Sequence, residues 1–363
     1  MSTTIQQLRE LLSPPGDTIQ ETIDMMGMTQ AELAERMGRP KEKVNDVIKG
    51  REPISTSTAF QLEKVLGIPA SFWLNREKEY RKELFELDEQ AFYESCIGWL
   101  QNFPLLQMKK LEWLPATREK AVLVEAMLKF FGVARPEEWS RIYVHEEVSV
   151  AFRVSLANTQ NPHAVSAWLR RGELQAKRLN VPEFDKKRFR EQLFTIKELA
   201  YEMPADFANQ LQQMCAECGV AVVYTPNLPK APISGATRWF HNKPIIQMSG
   251  RFKTDDHFWF TFFHEAGHII LHGKKDIFLE NLEGTEIDQE KEDEANLFAS
   301  KMLINPMALK AILNSFPLHD QAILNVADMF EIPPGVIVGR LQHMGHLTYK
   351  EFNTLKRKIN LFN

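Results

Sequence analysis

The sequence has few cysteines, no long apolar run and no excess of positive charge, and each shortage excludes a class of protein. Its three cysteines are too few for a disulfide framework, which favours a reducing compartment, and Cys215-Ala-Glu-Cys218 lacks the second pair of a zinc site. The apolar run FWFTFFHEAGHIILH at 258–272 contains histidines and a glutamate and is too short to cross a bilayer. The first residues show no signal peptide. We therefore expect a cytoplasmic protein without a membrane partner.

Acidic residues outnumber basic residues, 48 against 44, and the formal net charge is −4. A chain with this balance has no overall positive field to hold nucleic acid, so any DNA binding must come from a local basic patch. The length of 363 residues and the hydrophobic share of 44% predict two or three folded domains.

Local patterning divides the chain into five segments. They are a leading helix at 1–20 that ends at Pro14-Pro15-Gly16, a compact helical module at 21–80, a connecting region of amphipathic helices at 81–204, a mixed α and β region at 205–305, and a helical segment at 306–363. Within the connecting region, VSVAFRVS at 148–155 alternates like a strand. In the last segment, ADMFEIPPGVIVGRL has a helix-turn-helix pattern but a single basic residue, Arg340, so we interpret it as structural packing.

Residues 264–268 read His-Glu-Ala-Gly-His, which is an HExxH pattern. On a helix, His264 and His268 lie one turn apart on one face, so both imidazoles can bind one Zn²⁺ ion. Glu265 is rotated by about 100° from His264, and we predict that it is the general base that activates water. Apolar residues flank the motif, and buried His and Glu side chains would be costly there without a metal. The motif predicts a catalytic site with one zinc ion per chain.

Catalytic zinc needs a third protein ligand. His272 is a candidate by type, but it lies about 12 Å along the helix axis from His264, and both cannot bind one ion. We interpret His272 as a residue that supports a ligand, faces the substrate or simply ends the helix.

The segment KEDEANLFASKML at 291–303 is a better source of the third ligand. Its apolar residues recur at helical spacing, and Glu292 lies at the edge of the predicted buried face. Glu292 is therefore the predicted ligand, with Glu294 as the alternative. Asn296 lies one turn beyond Glu292, where its amide can hydrogen-bond a ligand.

Three separated blocks resemble the ImmA/IrrE family of metallo-endopeptidases. They are HEAGHIILH, the Glu-x-x-Ala-Asn-x-Phe-Ala pattern at 292–299, and SGATRWFHNKPIIQMSGRFKTDDHFWFTFFHE just upstream. The resemblance implies a small zincin-like domain with a short twisted sheet above the active-site helix and with zinc held by His264, His268 and Glu292. It also implies a protein substrate, which in this family is often a DNA-binding repressor cut at few sites.

The same region contains candidates for the rest of a peptidase site. Zincins pair an edge strand with the extended substrate, and ISGATRWF at 233–240 is the candidate strand. The segment Lys274–Asp288 is the candidate roof of the cleft. Tyr224, Arg238 and His272 are candidates for stabilising the oxyanion, and the sequence does not choose among them.

The module at 21–80 has the spacing of a helix-turn-helix. Thr29-Gln-Ala-Glu32 is a capping box that begins a helix, a turn follows at Gly38-Arg39-Pro40, and KEKVNDVIKG forms the next helix. The residues predicted to face inward are Leu33, Ala34, Met37, Val44, Val47 and Ile48. From Arg36 to Arg51 the sequence contains six basic residues and only two acidic ones. This local excess of positive charge is suited to phosphate contacts.

The segment TQAELAERMGRPKEKVNDVIKGREPISTSTAFQLEKVLGIPASFWLN resembles XRE-type domains of Cro-like repressors, and in particular the HigA antitoxin subgroup. The resemblance implies that the helix from Lys41 enters the major groove of double-stranded DNA. The base-reading residues would then be Lys41, Glu42, Lys43 and Asn45, with Gln30 and Lys49 toward phosphates. The alternative is a protein–protein module without DNA binding, which the acidic charge of the whole module favours.

The sequence therefore predicts a mostly α protein that has an N-terminal all-α helix-turn-helix domain and a small α+β zincin-like metalloprotease domain. Its predicted function is a zinc-dependent, site-specific endopeptidase that binds a DNA operator and cleaves a repressor- or antitoxin-like protein. The alternative is a HigA-like antitoxin or transcriptional regulator whose metal domain is a sensor or structural unit without turnover. Glu265 favours the enzyme, because a structural zinc site needs no base. A toxin partner and a homodimer are further candidate interactions.

Overall fold

The computed structural model of the protein describes residues 5–144, 161–240, 242–272, 278–279 and 289–362. The alternating segment at 148–155 lies outside the described residues. Of the candidate roof, only the backbone of residues 278–279 is described. The fold below concerns the described ranges.

The chain folds as two compact units, one of Met1–Gly98 with Glu119–Val124 and one of Trp99–Arg118 with Glu125–Asn363. Helices dominate both units, and a small sheet lies in the second, so the predicted fold class is confirmed. Two of the predicted segment boundaries, at residues 20 and 80, fall inside helices. The segment Pro14-Pro15-Gly16 follows the end of the first helix and contains the start of the second, which begins at Pro15. Proline is suited to this first-turn position because an amide hydrogen is not needed there.

The N-terminal unit contains six helices in the part of the chain that the structure describes. They are α1 Ile5–Leu11, α2 Pro15–Met25, α3 Gln30–Met37, α4 Lys41–Ile48, α5 Thr56–Leu66 and α6 Ala70–Ser95. Of these, α3 has the cap that the sequence predicts. The Thr29 hydroxyl accepts a hydrogen bond from the Glu32 amide at 3.2 Å, and α3 ends at Gly38 with a φ of 67°. All six residues predicted to face inward are buried, around a core that includes Ile23 and Trp73. The predicted helix-turn-helix core is confirmed.

Eleven further α-helices follow within the described ranges. They are α7 Leu105–Lys110, α8 Lys120–Phe131, α9 Pro136–Tyr143, α10 Pro162–Ala176, α11 Lys186–Glu202, α12 Phe207–Ala216, α13 Asp255–Leu271, α14 Gln289–Leu303, α15 Pro306–Leu313, α16 Asp320–Phe330 and α17 Pro334–His343, with 3-10 helices at Ile97–Asn102 and Asn353–Leu355. Of these, α10, α12 and α13 pack against a short sheet. Among the described residues, no single helix has the length and apolar character to cross a membrane, although α16 and α17 pass that test together with a 113° bend between them.

The sheet contains β1 Ala221–Tyr224, β2 Gly235–Phe240, β3 Lys243–Met248 and β4 Phe278–Leu279, in the order β1-β3-β2-β4. β1 is parallel to β3, and β2 is antiparallel to both of its neighbours. β4 pairs with Ala236 and Thr237, so the expectation that 233–240 is an edge strand is wrong at these two residues. The chain's own residues 278–279 occupy the hydrogen-bonding edge that a substrate strand would need there.

The two faces of the sheet pack against different helices because side chains alternate along each strand. Val222 and Ile246 share a core with Phe262 of α13. Their sequence neighbours Ala221 and Ile245 belong to a separate cluster on the other face. α13 is therefore almost entirely buried between the sheet and the other helices of this unit.

The start of α13 is fixed by a segment that comes about a hundred residues later. The Asp255 amide donates to the Arg357 carbonyl, and the Arg357 amide donates to Asp255 Oδ1, both at 3.0 Å. The Ile359 amide donates to the Lys253 carbonyl at 3.0 Å. Lys356 adds an ion pair to Asp256 at 2.7 Å. These bonds set the position from which α13 presents its side chains.

Candidate metal centre and DNA-facing surface

Two imidazoles and a carboxylate converge between α13 and α14. His264 Nε2 and His268 Nε2 are 3.0 Å apart. Glu292 places Oε2 3.2 Å from His264 Nε2 and Oε1 3.4 Å from His268 Nε2. The ligand atoms all lie within 4.8 Å of one another, and both histidines are buried. Two nitrogen donors and one carboxylate, arranged in this way, fit a divalent transition metal.

Two of the three donors hold few protons near neutral pH. Burial lowers the pKa of His268 to about 4. Burial alone would raise the pKa of Glu292, but the adjacent imidazoles of His264 and His268 lower it to about 2. A metal therefore competes with few protons at His268 and Glu292 above pH 5.

Close packing of α13 on α14 allows Glu292 to reach the histidines. A side chain at Gly267 would place its Cβ 3.1 Å from Phe298 Cδ1 and 3.4 Å from Ala295 Cα. Ala295 and Ala299 on the facing side of α14 are fully buried. A larger residue at Gly267 inside the HEAGH motif would press against Phe298, so the glycine allows the close packing of α13 on α14.

Two further side chains hydrogen-bond the donor imidazoles from outside the donor cluster, and a third hydrogen-bonds one of those two. Asn296 Oδ1 lies 3.0 Å from His264 Nδ1. His272 Nδ1 lies 3.0 Å from His268 Nδ1, and Glu294 Oε2 lies 2.9 Å from His272 Nε2. Glu294, the alternative ligand by sequence, contacts His272, and the metal-donor group found among the described residues contains Glu292.

Glu265 is fully buried and lies against β2. Its carbonyl accepts a hydrogen bond from the Thr237 hydroxyl at 3.0 Å. A Cβ at Gly235 would lie 2.7 Å from Glu265 Oε1, so only glycine lets this strand pass the carboxylate. The sequence analysis missed Gly235 and Thr237, although a glycine within an apolar strand is a known sign of close approach.

The structure does not bring Tyr224 and Arg238 to the metal donors. The Tyr224 hydroxyl donates to the Ala208 carbonyl at 2.7 Å. Arg238 alternates with Thr237 along β2, so it points away from α13, and its guanidinium donates to the Leu169 carbonyl of α10. Burial lowers the pKa of Arg238 to about 10. Both side chains are committed to the fold, whereas His272 lies beside His268.

A cavity of about 570 Å³ lies between α13, α14 and α17. Phe260 and Thr261 line it one turn before His264 and Glu265, and Asn296 lines it from α14. Leu297 adds an apolar side chain that is 53% exposed. The cavity is lined by neighbours of the metal donors and not by the donors themselves, and its volume is that of a ligand-binding cleft.

In the N-terminal unit, the residues predicted to contact DNA lie on α4, at its C-cap and at the start of α3. Those that are exposed are Lys41, Glu42, Lys43 and Lys49, and those that are half-buried are Gln30 and Asn45. Asn45 Nδ2 donates to Gln30 Oε1 at 3.0 Å, which connects α4 to the start of α3. Lys43 Nζ lies 2.9 Å from Glu52 Oε2, and this hydrogen bond raises the pKa of Lys43. DNA must therefore compete with Glu52 for Lys43.

Two stretches of the sequence match known domain families. Residues 215–342 match a peptidase family model described as the IrrE N-terminal-like domain. Residues 19–73 match a helix-turn-helix model. The chain joins an XRE-type helix-turn-helix domain to an ImmA/IrrE-type domain. One similar protein, the Virulence-associated protein I of Dichelobacter nodosus, is 27% identical over 78 residues, which are 21% of this chain and 72% of that protein.

The ImmA/IrrE-type domain is metallopeptidase-like, and the metal donors lie at its centre in sequence. Its match extends from the end of α12 to the end of α17. The helices α15 to α17, predicted as part of a separate helical segment, therefore belong largely to this domain. The helix-turn-helix match begins inside α2, which places that helix in the DNA-binding domain.

Proposed function

We propose that the protein is a zinc-dependent, site-specific endopeptidase that cleaves a regulatory protein of the repressor or antitoxin class. The observation that carries the proposal is the convergence of His264, His268 and Glu292 beside the buried Glu265. The cavity along the same face of α13 supports a polypeptide substrate. The helix-turn-helix domain supports a site of action at an operator, where such regulators also bind.

His264, His268 and Glu292 would hold the zinc ion, which supplies Lewis acidity toward water and the peptide carbonyl. Glu265 accepts a proton from the attacking water and transfers it to the leaving amine. Gly235 and Thr237 of β2 hold Glu265 in place from the sheet side. Asn296 orients His264 through its Nδ1. His264, Glu265 and His268 are buried, which limits access of bulk water to the reacting atoms.

New protein termini in cells provide the test of the substrate class. Termini are compared between cells with the wild-type protein and cells with Glu265→Gln, by mass spectrometry of labelled amino termini. We expect a small number of internal termini that require Glu265, in a DNA-binding regulator that accumulates uncut in the variant. Identical termini in both strains would contradict the proposal that the protein is a peptidase. Termini confined to metabolic enzymes would contradict the substrate class.

The DNA-binding surface gives a second prediction. Lys41 has no ion-pair partner among the described residues, so Lys41→Ala should weaken operator binding. The slope of the logarithm of the binding constant against the logarithm of the salt concentration should become shallower by about 0.9. Lys43→Ala should cost less, because Glu52 already holds that side chain. Glu52→Gln should strengthen binding several-fold, since it frees Lys43. Salt titrations on the DNA upstream of the gene and on random DNA measure all three.

The same titration separates the proposed function from its alternatives. A wild-type protein that does not prefer any DNA over random sequence is a protein–protein module. A DNA affinity that changes when a chelator removes the metal would indicate that the metal domain is a sensor. This result would favour the alternative of a HigA-like regulator without turnover. We expect neither result, because the helix-turn-helix core is complete within its own unit.

A further inference from the structure

A chain of hydrogen bonds leads from the metal donors to solvent through two residues outside the donor group. It begins at His268 Nδ1, passes through both nitrogens of His272 and ends at Glu294 Oε2, with lengths of 3.0 and 2.9 Å. The side chain of His272 is only 5% exposed, whereas that of Glu294 is 56% exposed. A buried ligand is thus connected to a solvated negative charge.

The chemistry of the groups fixes the direction of each bond. The Glu294 carboxylate can only accept, so His272 Nε2 carries the hydrogen. In a neutral imidazole the other nitrogen is then an acceptor, so His272 Nδ1 accepts the hydrogen on His268 Nδ1. This assignment leaves His268 Nε2 with its lone pair directed toward Glu292 and His264. The reverse direction would place a hydrogen where the metal must bind.

His264, the other histidine ligand, has a different hydrogen-bond partner. The Asn296 amide oxygen accepts from His264 Nδ1 directly, and it carries no charge. His268 instead receives the polarising effect of a carboxylate through a second imidazole. Glu294 also belongs to α14, two residues after Glu292. The hydrogen bonds therefore connect the end of α13 to the helix that carries the third donor.

We propose that Glu294 and His272 are positioning residues that hold His268 in the metal-binding tautomer and raise the affinity of the site. A hydrogen-bonded carboxylate makes the imidazole more basic at the atom that faces the metal, and loss of such partners weakens metal binding by about 10–100-fold. Bonds in such a chain also polarise one another. The proposal rests on the metal site of the proposed function and does not require peptide cleavage.

Zinc affinity of the full-length protein, measured by competition with a chromophoric chelator, tests this assignment. We expect Glu294→Ala and His272→Ala to weaken binding by about 10–100-fold. Glu294→Gln keeps an acceptor oxygen and removes the charge, so it should fall between Glu294→Ala and the wild type. Glu290→Gln is the matched control, an exposed carboxylate one turn earlier in α14, and should bind zinc like the wild type.

The tautomer provides a readout that a purely structural role would not change. In metal-free wild type, nitrogen-15 NMR of the imidazoles should show the hydrogen of His268 on Nδ1, and Glu294→Ala should shift it toward a mixture. Glu294 is exposed, so its variants are expected to fold, and circular dichroism checks this. Zinc affinity and His268 tautomer equal to those of the control would overturn the proposal. If zinc binds all variants equally while Glu265→Gln abolishes cleavage, the chain of bonds fails and the peptidase remains; if wild type binds no zinc, the metal site itself fails.

Discussion

Replacement of Glu265 by glutamine should reduce cleavage of a verified substrate by about 10²–10⁴-fold and leave the metal in place. The amide has the size of the carboxylate but cannot accept the proton of the attacking water. Because Glu265 is outside the donor group of His264, His268 and Glu292, its loss should not change zinc affinity. Single-turnover cleavage and elemental analysis on the same preparation measure the two effects.

Glu290→Gln is the control for this experiment, because it makes the same chemical change on the exposed surface of α14. It should retain full activity. Undiminished cleavage by Glu265→Gln would eliminate the general-base role. Loss of both activity and zinc would mean that the carboxylate holds the site together, for example through its contact with β2 at Gly235.

Removal of His264 should abolish metal binding altogether. The site has two imidazoles and one carboxylate, and His264→Ala leaves too few donors for a catalytic zinc ion. Zinc content should fall from about one per chain to below about a tenth. The wild type should also gain about 4 kcal/mol of stability at a zinc concentration 1,000 times its Kd, and the variant should gain none.

Thermal unfolding with and without zinc measures this stabilisation. His319→Ala is a suitable control, because that histidine is exposed and its side chain does not cap α16. It should respond to zinc like the wild type. A wild-type protein that contains no metal after native purification, and whose unfolding zinc does not shift, would show that the donors do not form a metal site.

The residues on helices were easier to predict from sequence than the residues on strands. His264, His268 and Glu292 lie on helices, where apolar periodicity indicates the direction of each side chain, although it leaves Glu294 as an alternative to Glu292. The donor group of the structure contains Glu292. Arg238 lies on a strand, where a shift of one residue moves a side chain to the opposite face. The sequence around it is apolar on both sides, and nothing in it shows which face meets α13.

Two other features depend on contacts between parts of the chain that no local pattern connects. The contact of β4 with Ala236 joins segments more than 40 residues apart, and no local pattern in β2 indicates that its edge is covered. The ion pair between Lys43 and Glu52 likewise depends on the path of the chain after α4.

Pro15 is a local case. A proline pair predicts the end of one helix, although proline is equally suited to begin the next, as Pro15 does.

The bonds from Arg357 and Ile359 to the start of α13 have a consequence for biosynthesis. The helix that carries His264 and His268 gains the bonds at its first turn only after residue 359 has left the ribosome, whereas the helix-turn-helix unit is complete by residue 124. At about 5–20 residues per second, the interval between these points is roughly 10 to 50 seconds. A nascent chain can therefore fold its helix-turn-helix unit while its metallopeptidase-like domain is still unfinished, and a chain truncated before this segment would keep the first domain but lack the bonds that fix α13.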